Sequence, residues 1–189
     1  MMKAFKEYFE QEEAKETIGI LPGGFKPPTL GHLLALKDLL EDADRGIVFI
    51  GKGERDGIDA VKSKAIWEIY TKYFNKPVEV HLSPLSPVKD TYDYALENKK
   101  VNIIVGAGGP RKLKDGSFTD GDMKRYESFV KNKDKYPHVT LKEIKSKGDI
   151  KGEVVRNAIA DDIDVAIENY FPADISETDK DTIKSILQA

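Results

Sequence analysis

Short apolar runs alternate with helical stretches along this chain of 189 residues. Runs of four to eight apolar residues bounded by turn residues are typical of β-strands, and several of these runs end at glycine or begin at proline. Five runs have this character: 18–21, 46–51, 77–82, 101–105 and 139–144. The stretches between them have the spacing of amphipathic helices: 33–40, 59–74, 92–99 and 118–132.

Strands that alternate with helices form βαβ units, and such units build a parallel sheet. Right-handed crossovers then place helices on both faces of that sheet. The pattern predicts an α/β, Rossmann-like, doubly wound fold with a mostly parallel five-stranded sheet. Ligands bind such sheets at the carboxyl ends of the strands, where the strand order reverses. The turns at 23–24, 51–57 and 106–109 are predicted to share that edge.

The length and the spacing divide the chain into three parts. Residues 18–172 are predicted to form the α/β domain. Residues 1–17 form an N-terminal segment, in which 3–16 has the pattern of an amphipathic surface helix. Residues 173–189 form a C-terminal helix that begins after a cap at Asp174 or Ser176.

Composition excludes several classes of function. The net charge of -3 offers no basic excess for coating a nucleic acid. The absence of cysteine excludes disulfides, thiolate metal sites and a cysteine nucleophile. No apolar stretch approaches the roughly 20 residues that span a bilayer. We therefore expect a cytoplasmic protein that acts on neither nucleic acid nor membrane.

The stretch from Gly23 to His32, GGFKPPTLGH, lies between the first strand and the first helix. Glycine lets the backbone approach a ligand closely, and free N–H groups at a helix start favour an anion. A histidine in this position can donate a hydrogen bond to phosphate oxygens whose charge rises as a bond breaks. The stretch therefore predicts a nucleotide-phosphate site.

This stretch resembles the G-x-F-x-P-x-(H/T)-x-G-H signature of the nucleotidylyltransferase superfamily, which includes adenylyltransferases and small cytidylyltransferases. Six positions match the pattern: Gly23, Phe25, Pro27, Thr29, Gly31 and His32. Thr29 replaces the usual first histidine, as in some branches, notably among nicotinamide-mononucleotide adenylyltransferases. The resemblance implies transfer of a nucleoside monophosphate from ATP or CTP to a small phosphorylated acceptor, with substrate-bound Mg²⁺ and release of pyrophosphate.

A second stretch, DIKGEVVR at 149–156, resembles the superfamily signature I-S-(S/T/G)-T-x-(I/V/L)-R, which begins a late helix and holds phosphates. Ile150, Gly152, Val155 and Arg156 match it in spacing. Lys151 and Glu153 replace the serine and the threonine. A short helix is predicted at 157–160, directly after this stretch.

The resemblance, together with position at the same sheet edge, gives a set of residues expected roles. Four residues are expected to act in catalysis: Lys26, Thr29, His32 and Arg156. Nine are expected to bind the nucleotide: Gly23, Gly24, Phe25, Gly31, Gly106, Gly108, Ile150, Gly152 and Val155. A basic residue near the second helix touches the acceptor in related transferases, which suggests Lys62 or Lys64. Tyr92 follows the loop at 83–87, which is expected to line the acceptor pocket.

Several alternatives stay open on the sequence alone. Thr29, Lys151 and Glu153 also fit a catalytically degenerate relative that binds nucleotide or serves as an interaction or assembly module. The base, the acceptor and the oligomeric state cannot be read, although relatives are often homo-oligomers. His81 and His138 are expected to be structural or surface residues, and Trp67 to be a core residue.

Overall fold

A five-stranded parallel sheet forms the centre of the structure. The structure is a computed structural model that describes residues 15–110, 115–117, 121–144 and 150–189. The strand order is β3-β2-β1-β4-β5, and all pairings are parallel. The strands are β1 (Thr17–Gly23), β2 (Arg45–Gly51), β3 (Val78–Ser83), β4 (Asn102–Gly108) and β5 (Val139–Ile144). The predicted Rossmann-like α/β fold is confirmed.

Helices cover both faces of this sheet. The α-helices of the described residues are α1 (Leu30–Glu41), α2 (Ala60–Thr71), α3 (Pro87–Glu97), α4 (Glu127–Lys131), α5 (Gly152–Asp161), α6 (Ile163–Tyr170) and α7 (Glu177–Gln188). A short 3₁₀ helix, Met123–Tyr126, precedes α4. One apolar cluster joins the sheet to α1, α2 and α5–α7, and a second joins its other face to α3 and α4.

The largest differences from the predicted helix bounds are at three helices, while α1 begins three residues earlier and α2 ends three residues earlier than predicted. Helix α3 begins at Pro87 rather than at residue 92, because Ser86 caps it by accepting the Lys89 N–H at 3.1 Å. Proline suits the first helical position, where its missing N–H is not needed. The predicted helix at 118–132 is instead the 3₁₀ helix followed by α4, with 118–120 outside the described residues. Helix α5 begins at Gly152, earlier than the predicted 157.

Helix α1 packs closely on the sheet because β1 has no side chain at Gly19. A Cβ at that position would lie 2.8 Å from Leu39 Cγ. Leu36 and Leu39 are fully buried between the helix and the strands. This packing brings the first turn of α1 to the carboxyl end of β1. There the strand order reverses, since β1 pairs with β2 on one side and with β4 on the other.

Helix α7 packs against α2 through apolar and polar contacts. Ile183 is fully buried. Asp179 accepts hydrogen bonds from Lys72 Nζ at 2.8 Å and from Tyr73 Oη at 2.6 Å. Of the two predicted caps, Ser176 is the residue at the N-terminus of α7, and its Oγ accepts the Asp179 N–H at 3.1 Å.

Two predicted segments fall largely outside the described residues. Residues 3–14 of the predicted N-terminal helix are not described, while Lys15 and Glu16 are non-helical and lead into β1. Most of the predicted loop at 111–121 is also outside. No helix in the described part of the chain is long and apolar enough to cross a membrane.

We expect Asp179→Asn to lower the Tm at pH 7, because the hydrogen bonds from Lys72 and then Tyr73 hold the pKa of Asp179 below its ordinary value. A carboxyl group with a lowered pKa stabilises the folded state above its unfolded pKa. That contribution is lost as the pH falls through the folded pKa. The Tm difference from wild type should therefore be constant near neutrality and narrow only below about pH 4.

The matched control is Asp181→Asn on the same helix. Asp181 has a side chain that is 74% exposed and lies 3.6 Å from Lys184. Exposed pairs of this kind contribute little, so its Tm should stay close to that of wild type. Equal losses in the two variants, or a loss for Asp179→Asn that does not depend on pH, would contradict the assignment.

Candidate functional site

A cavity of about 450 Å³ opens at the carboxyl ends of β1 and β4, where the strand order reverses. This volume is within the range of small-molecule sites, about 300–1,000 Å³. Four chain segments line it: 21–25, 29–32, 34–35 and 106–110. Six other residues complete the lining: Asp122, Glu143, Ile144, Ile150, Asn169 and Tyr170. The cavity therefore lies at the sheet edge where the sequence predicts a ligand site, although the loop at 51–57 does not line it.

His32 is held at the third position of α1 by the residue that caps the helix. The Thr29 backbone N–H donates to His32 Nδ1 at 3.0 Å, and Thr29 Oγ1 lies 3.1 Å from the same nitrogen. This is the geometry of a capping box in which histidine replaces the usual glutamate or glutamine. A nitrogen that accepts a backbone N–H cannot carry the proton, so the neutral ring is protonated at Nε2.

Phe25 connects His32 to the core. Its ring packs edge-on against His32 with centroids 5.0 Å apart, and against the buried Trp67 at 5.3 Å. Its backbone has a φ of 50°, in the left-handed region that is uncommon for residues with side chains. Strained conformations of this kind are concentrated at functional sites, where surrounding contacts maintain them. Trp67 is a core residue, as predicted.

The ring of Phe25 also explains Gly23. A Cβ on Gly23 would lie 2.7 Å from the tip of that ring, whereas a Cβ on Gly24 would meet nothing within 4 Å. Glycine is therefore required at 23 for packing, and the two neighbouring glycines are not equivalent.

Lys26 is turned toward the backbone rather than the lining of the cavity. Its Nζ donates to the carbonyls of Gly24 at 2.6 Å and Gly51 at 3.0 Å. Partial burial lowers the pKa of Lys26, while nearby Asp59 opposes this shift and Arg55 adds to it. Its ammonium group thus ties the loop after β1 to the end of β2.

Arg156 stabilises the same loop from the other side. Its Nη1 donates to the Lys26 carbonyl at 3.1 Å, and its Nε donates to Asp56. The side chain is 10% exposed and lies outside the cavity lining. Asp56 and Gly57 both have positive φ, at 50° and 76°, as in the type I′ turns that favour Asp-Gly. This turn presents the Asp56 carboxylate to Arg156.

The rest of the second stretch is divided between cavity and core. Ile150 lines the cavity, and Val155 is the fully buried residue of α5. A Cβ on Gly152 would lie 2.9 Å from Arg156 Nη1. Glu153 is exposed in the first turn of α5, where a carboxylate is favourable to the helix dipole.

The two β4 glycines lie within the strand rather than in a turn beyond it, and both line the cavity. A Cβ on Gly106 would lie 3.2 Å from Ile144. Gly31 also lines the cavity at the start of α1. These placements agree with the expected contact between backbone and nucleotide, which stays a prediction.

The three residues expected at the acceptor are outside the cavity lining. Lys62 Nζ donates to the Gly57 carbonyl at 2.9 Å, and Lys64 lies 3.4 Å from Glu68 on the surface of α2. Tyr92 stacks on Phe129 with centroids 4.2 Å apart, and its hydroxyl donates to the Arg125 carbonyl. Their roles at the acceptor stay predictions.

The other two histidines also lie outside the cavity lining. His81 is exposed beside Glu79, and His138 forms a hydrogen bond with the Ala95 carbonyl.

Sequence reasoning did not assign four lining residues that the fold brings to the cavity: Asp122, Glu143, Asn169 and Tyr170. The Asp122 N–H donates to the Gly108 carbonyl at 2.8 Å. The Glu143 carboxylate lies so close to Gly109 that a side chain there would clash with it. The position of Glu143 near the carboxyl end of a predicted strand was a usable signal.

Comparisons with known proteins show the fold and no family. No protein-family model matches the chain, and no curated protein matches it significantly. Among solved structures, the chain is similar to Thermotoga maritima TmcAL bound with alpha-thio ATP, with a TM-score of 0.56 and 13% identity. The match covers 89% of this chain and 55% of the other, so this chain spans about half of that protein.

We expect Gly23→Ala to lower the free energy of unfolding by about 1–3 kcal/mol, because the new methyl group must displace the Phe25 ring. Gly24→Ala is the matched control, and should change that free energy by no more than about 0.5 kcal/mol. Urea denaturation of the two variants measures the difference. Similar losses at both positions would show that the Phe25 ring does not occupy this place.

Proposed function

We propose that this protein is a nucleotidylyltransferase that moves a nucleoside monophosphate from ATP or CTP to a small phosphorylated acceptor and releases pyrophosphate. The observation that carries the proposal is the cavity at the β1–β4 switch point, lined by the loop after β1 and by His32. A neighbour of the same fold was solved with alpha-thio ATP, which supports a nucleoside triphosphate as the ligand.

The charges of the lining residues suggest how the nucleotide lies. The N-terminus of α1 has no acidic residue in its first turn, and its dipole favours an anion. Asp122 and Glu143 line the cavity beside the end of β4, where their charge disfavours phosphate. We therefore place the triphosphate at α1 and the nucleoside beside the carboxylates. These can accept hydrogen bonds from ribose hydroxyls or from the amino group of adenine or cytosine.

The reaction needs positioning and charge neutralisation more than a strong base. An oxygen of the acceptor phosphate bonds to the α-phosphorus while the bond from that phosphorus to the bridging oxygen breaks. The electron pair leaves with pyrophosphate. The Nε2–H of His32 donates to an α-phosphate oxygen as its charge rises, and Thr29 holds the ring from the other side.

Lys26 and Arg156 support the phosphate site from behind the loop. Each donates to a backbone carbonyl, so both fix the course of residues 24–26. Their positive charges also lower the electrostatic cost of bringing a triphosphate to the adjacent cavity. Mg²⁺ would enter with the triphosphate and offset its charge. Among the described residues, no group of three or more His, Cys, Asp or Glu side chains could hold a metal ion.

A second candidate is a nucleotide-binding protein without transferase activity. The observation that favours it is the pairing of Arg156 with Asp56 and the Lys26 carbonyl, outside the cavity lining. In this alternative the loop binds nucleotide, but no cationic side chain reaches the leaving pyrophosphate.

The deciding measurement is pyrophosphate release from ATP and CTP with Mg²⁺ against a panel of phosphorylated acceptors, together with nucleotide binding by calorimetry. Release that depends on one acceptor supports the transferase and names both substrates. Binding without release across the panel supports the second candidate. A chain that binds neither nucleotide contradicts both.

We expect His32→Gln to lower kcat by roughly 10²–10³-fold, as for loss of a donor to the transition state. Glutamine at the third helical position keeps an acceptor for the Thr29 N–H, so the capping box is retained while the imidazole is lost. The Tm should stay near that of wild type. His32→Ala, which also loses the acceptor, should show the same loss of kcat and a lower Tm. An unchanged kcat in His32→Gln would refute the role of the ring.

A further inference from the structure

Helix α2 carries two fully buried hydroxyl groups that reach the loop after β1. Ser63 Oγ donates to the Phe25 carbonyl at 2.5 Å, and Tyr70 Oη donates to the Pro28 carbonyl at 3.2 Å. Both residues are 0% exposed. A hydroxyl on the apolar face of a helix is costly to bury unless it has a partner, and a buried carbonyl likewise needs a donor.

The carbonyl that Tyr70 contacts belongs to the peptide unit that holds His32. The C=O of Pro28 and the N–H of Thr29 lie in one rigid plane, because the peptide bond has partial double-bond character. Tyr70 donates to the oxygen of this plane, and the nitrogen of the same plane donates to His32 Nδ1 at 3.0 Å. The orientation of the carbonyl therefore determines the orientation of the N–H.

Hydrogen bonds in such a chain also polarise one another. A donor on the peptide oxygen draws charge from the peptide nitrogen and makes its N–H a stronger donor to Nδ1. Burial raises the pKa of Tyr70 well above its usual value near 10, so its hydroxyl stays a neutral donor. Pro28 has no N–H of its own, so its carbonyl is its one backbone group that can form a hydrogen bond, and Tyr70 donates to it.

We propose that Tyr70 is a positioning residue for His32: through the Pro28–Thr29 peptide plane it keeps Nδ1 of the imidazole an acceptor and the proton on Nε2. This inference deepens the proposed function and rests on it only where turnover is concerned. Tyr70 touches neither substrate nor reacting atoms in this arrangement. Its effect on the reaction passes through the tautomer and orientation of one side chain.

The test compares deletion of the hydroxyl group from Tyr70 on α2 with the same deletion from Tyr73, two residues after the end of that helix. Tyr70→Phe removes the hydroxyl that contacts the loop, and Tyr73→Phe removes a hydroxyl that contacts Asp179 on α7 instead. Nitrogen-15 NMR of the histidine side chains reads the tautomer directly in the full chain without any ligand. The chain has three histidines, and His32→Gln assigns the signals of His32 by their disappearance.

In wild type and Tyr73→Phe we expect the Nδ1 signal of His32 at the position of an unprotonated ring nitrogen. In Tyr70→Phe we expect that signal to shift toward the average of the two tautomers. An Nδ1 signal unchanged in Tyr70→Phe, or shifted equally in Tyr73→Phe, would overturn the proposal.

Measurements of turnover and of thermal stability test the role of Tyr70 independently of the NMR experiment. With an acceptor that supports release, kcat should fall about tenfold in Tyr70→Phe with KM unchanged, and stay at the wild-type value in Tyr73→Phe. If Tyr70 acts through His32, the Tm lost on Tyr70→Phe should be smaller in a His32→Ala background than in wild type. Additive losses would overturn the proposal. If wild type releases no pyrophosphate, the transferase fails while the NMR and Tm results still decide the role of Tyr70.

Discussion

The close approach of α1 to β1 is the packing on which the cavity depends. Gly19 leaves room for Leu39, and the helix can then lie directly on the central strands. A longer residue at 19 would lift the helix from the sheet, and the first turn of α1 would move away from the end of β1. The cavity and the contact between Phe25 and His32 depend on that short distance.

The charged side chains around the cavity are separated by sign. Lys26 and Arg156 stand behind the loop and bind its carbonyls, whereas Asp122 and Glu143 stand beside the end of β4. For the proposed nucleotide, this separation would favour one direction of binding. Lys26 and Arg156 also fix the course of the loop backbone, so their contribution to the proposed phosphate site includes geometry as well as charge.

The strands and their order of appearance could be predicted because apolar runs and turn residues are local signals. Strand β5 was predicted with its observed bounds, and the position of the site followed from the parallel topology. Helix α3 began earlier than predicted even though Ser86 and Pro87 form a helix start.

The partners of Arg156 could not be predicted, since Asp56 lies 100 residues away and its turn is close only in the folded chain. The contacts of Ser63 and Tyr70 could not be predicted either, because small and aromatic residues on an apolar helix face are usually core residues.

Helix α2 has contacts on two sides that belong to distant parts of the chain. Ser63 and Tyr70 of α2 contact the loop after β1, and Lys72 and Tyr73, which directly follow α2, contact α7. Helix α7 therefore packs against α2, which carries Tyr70, the residue proposed to position the imidazole of His32. Elements from distant parts of the described chain therefore meet at α2, with the loop after β1 at one place and α7 at another.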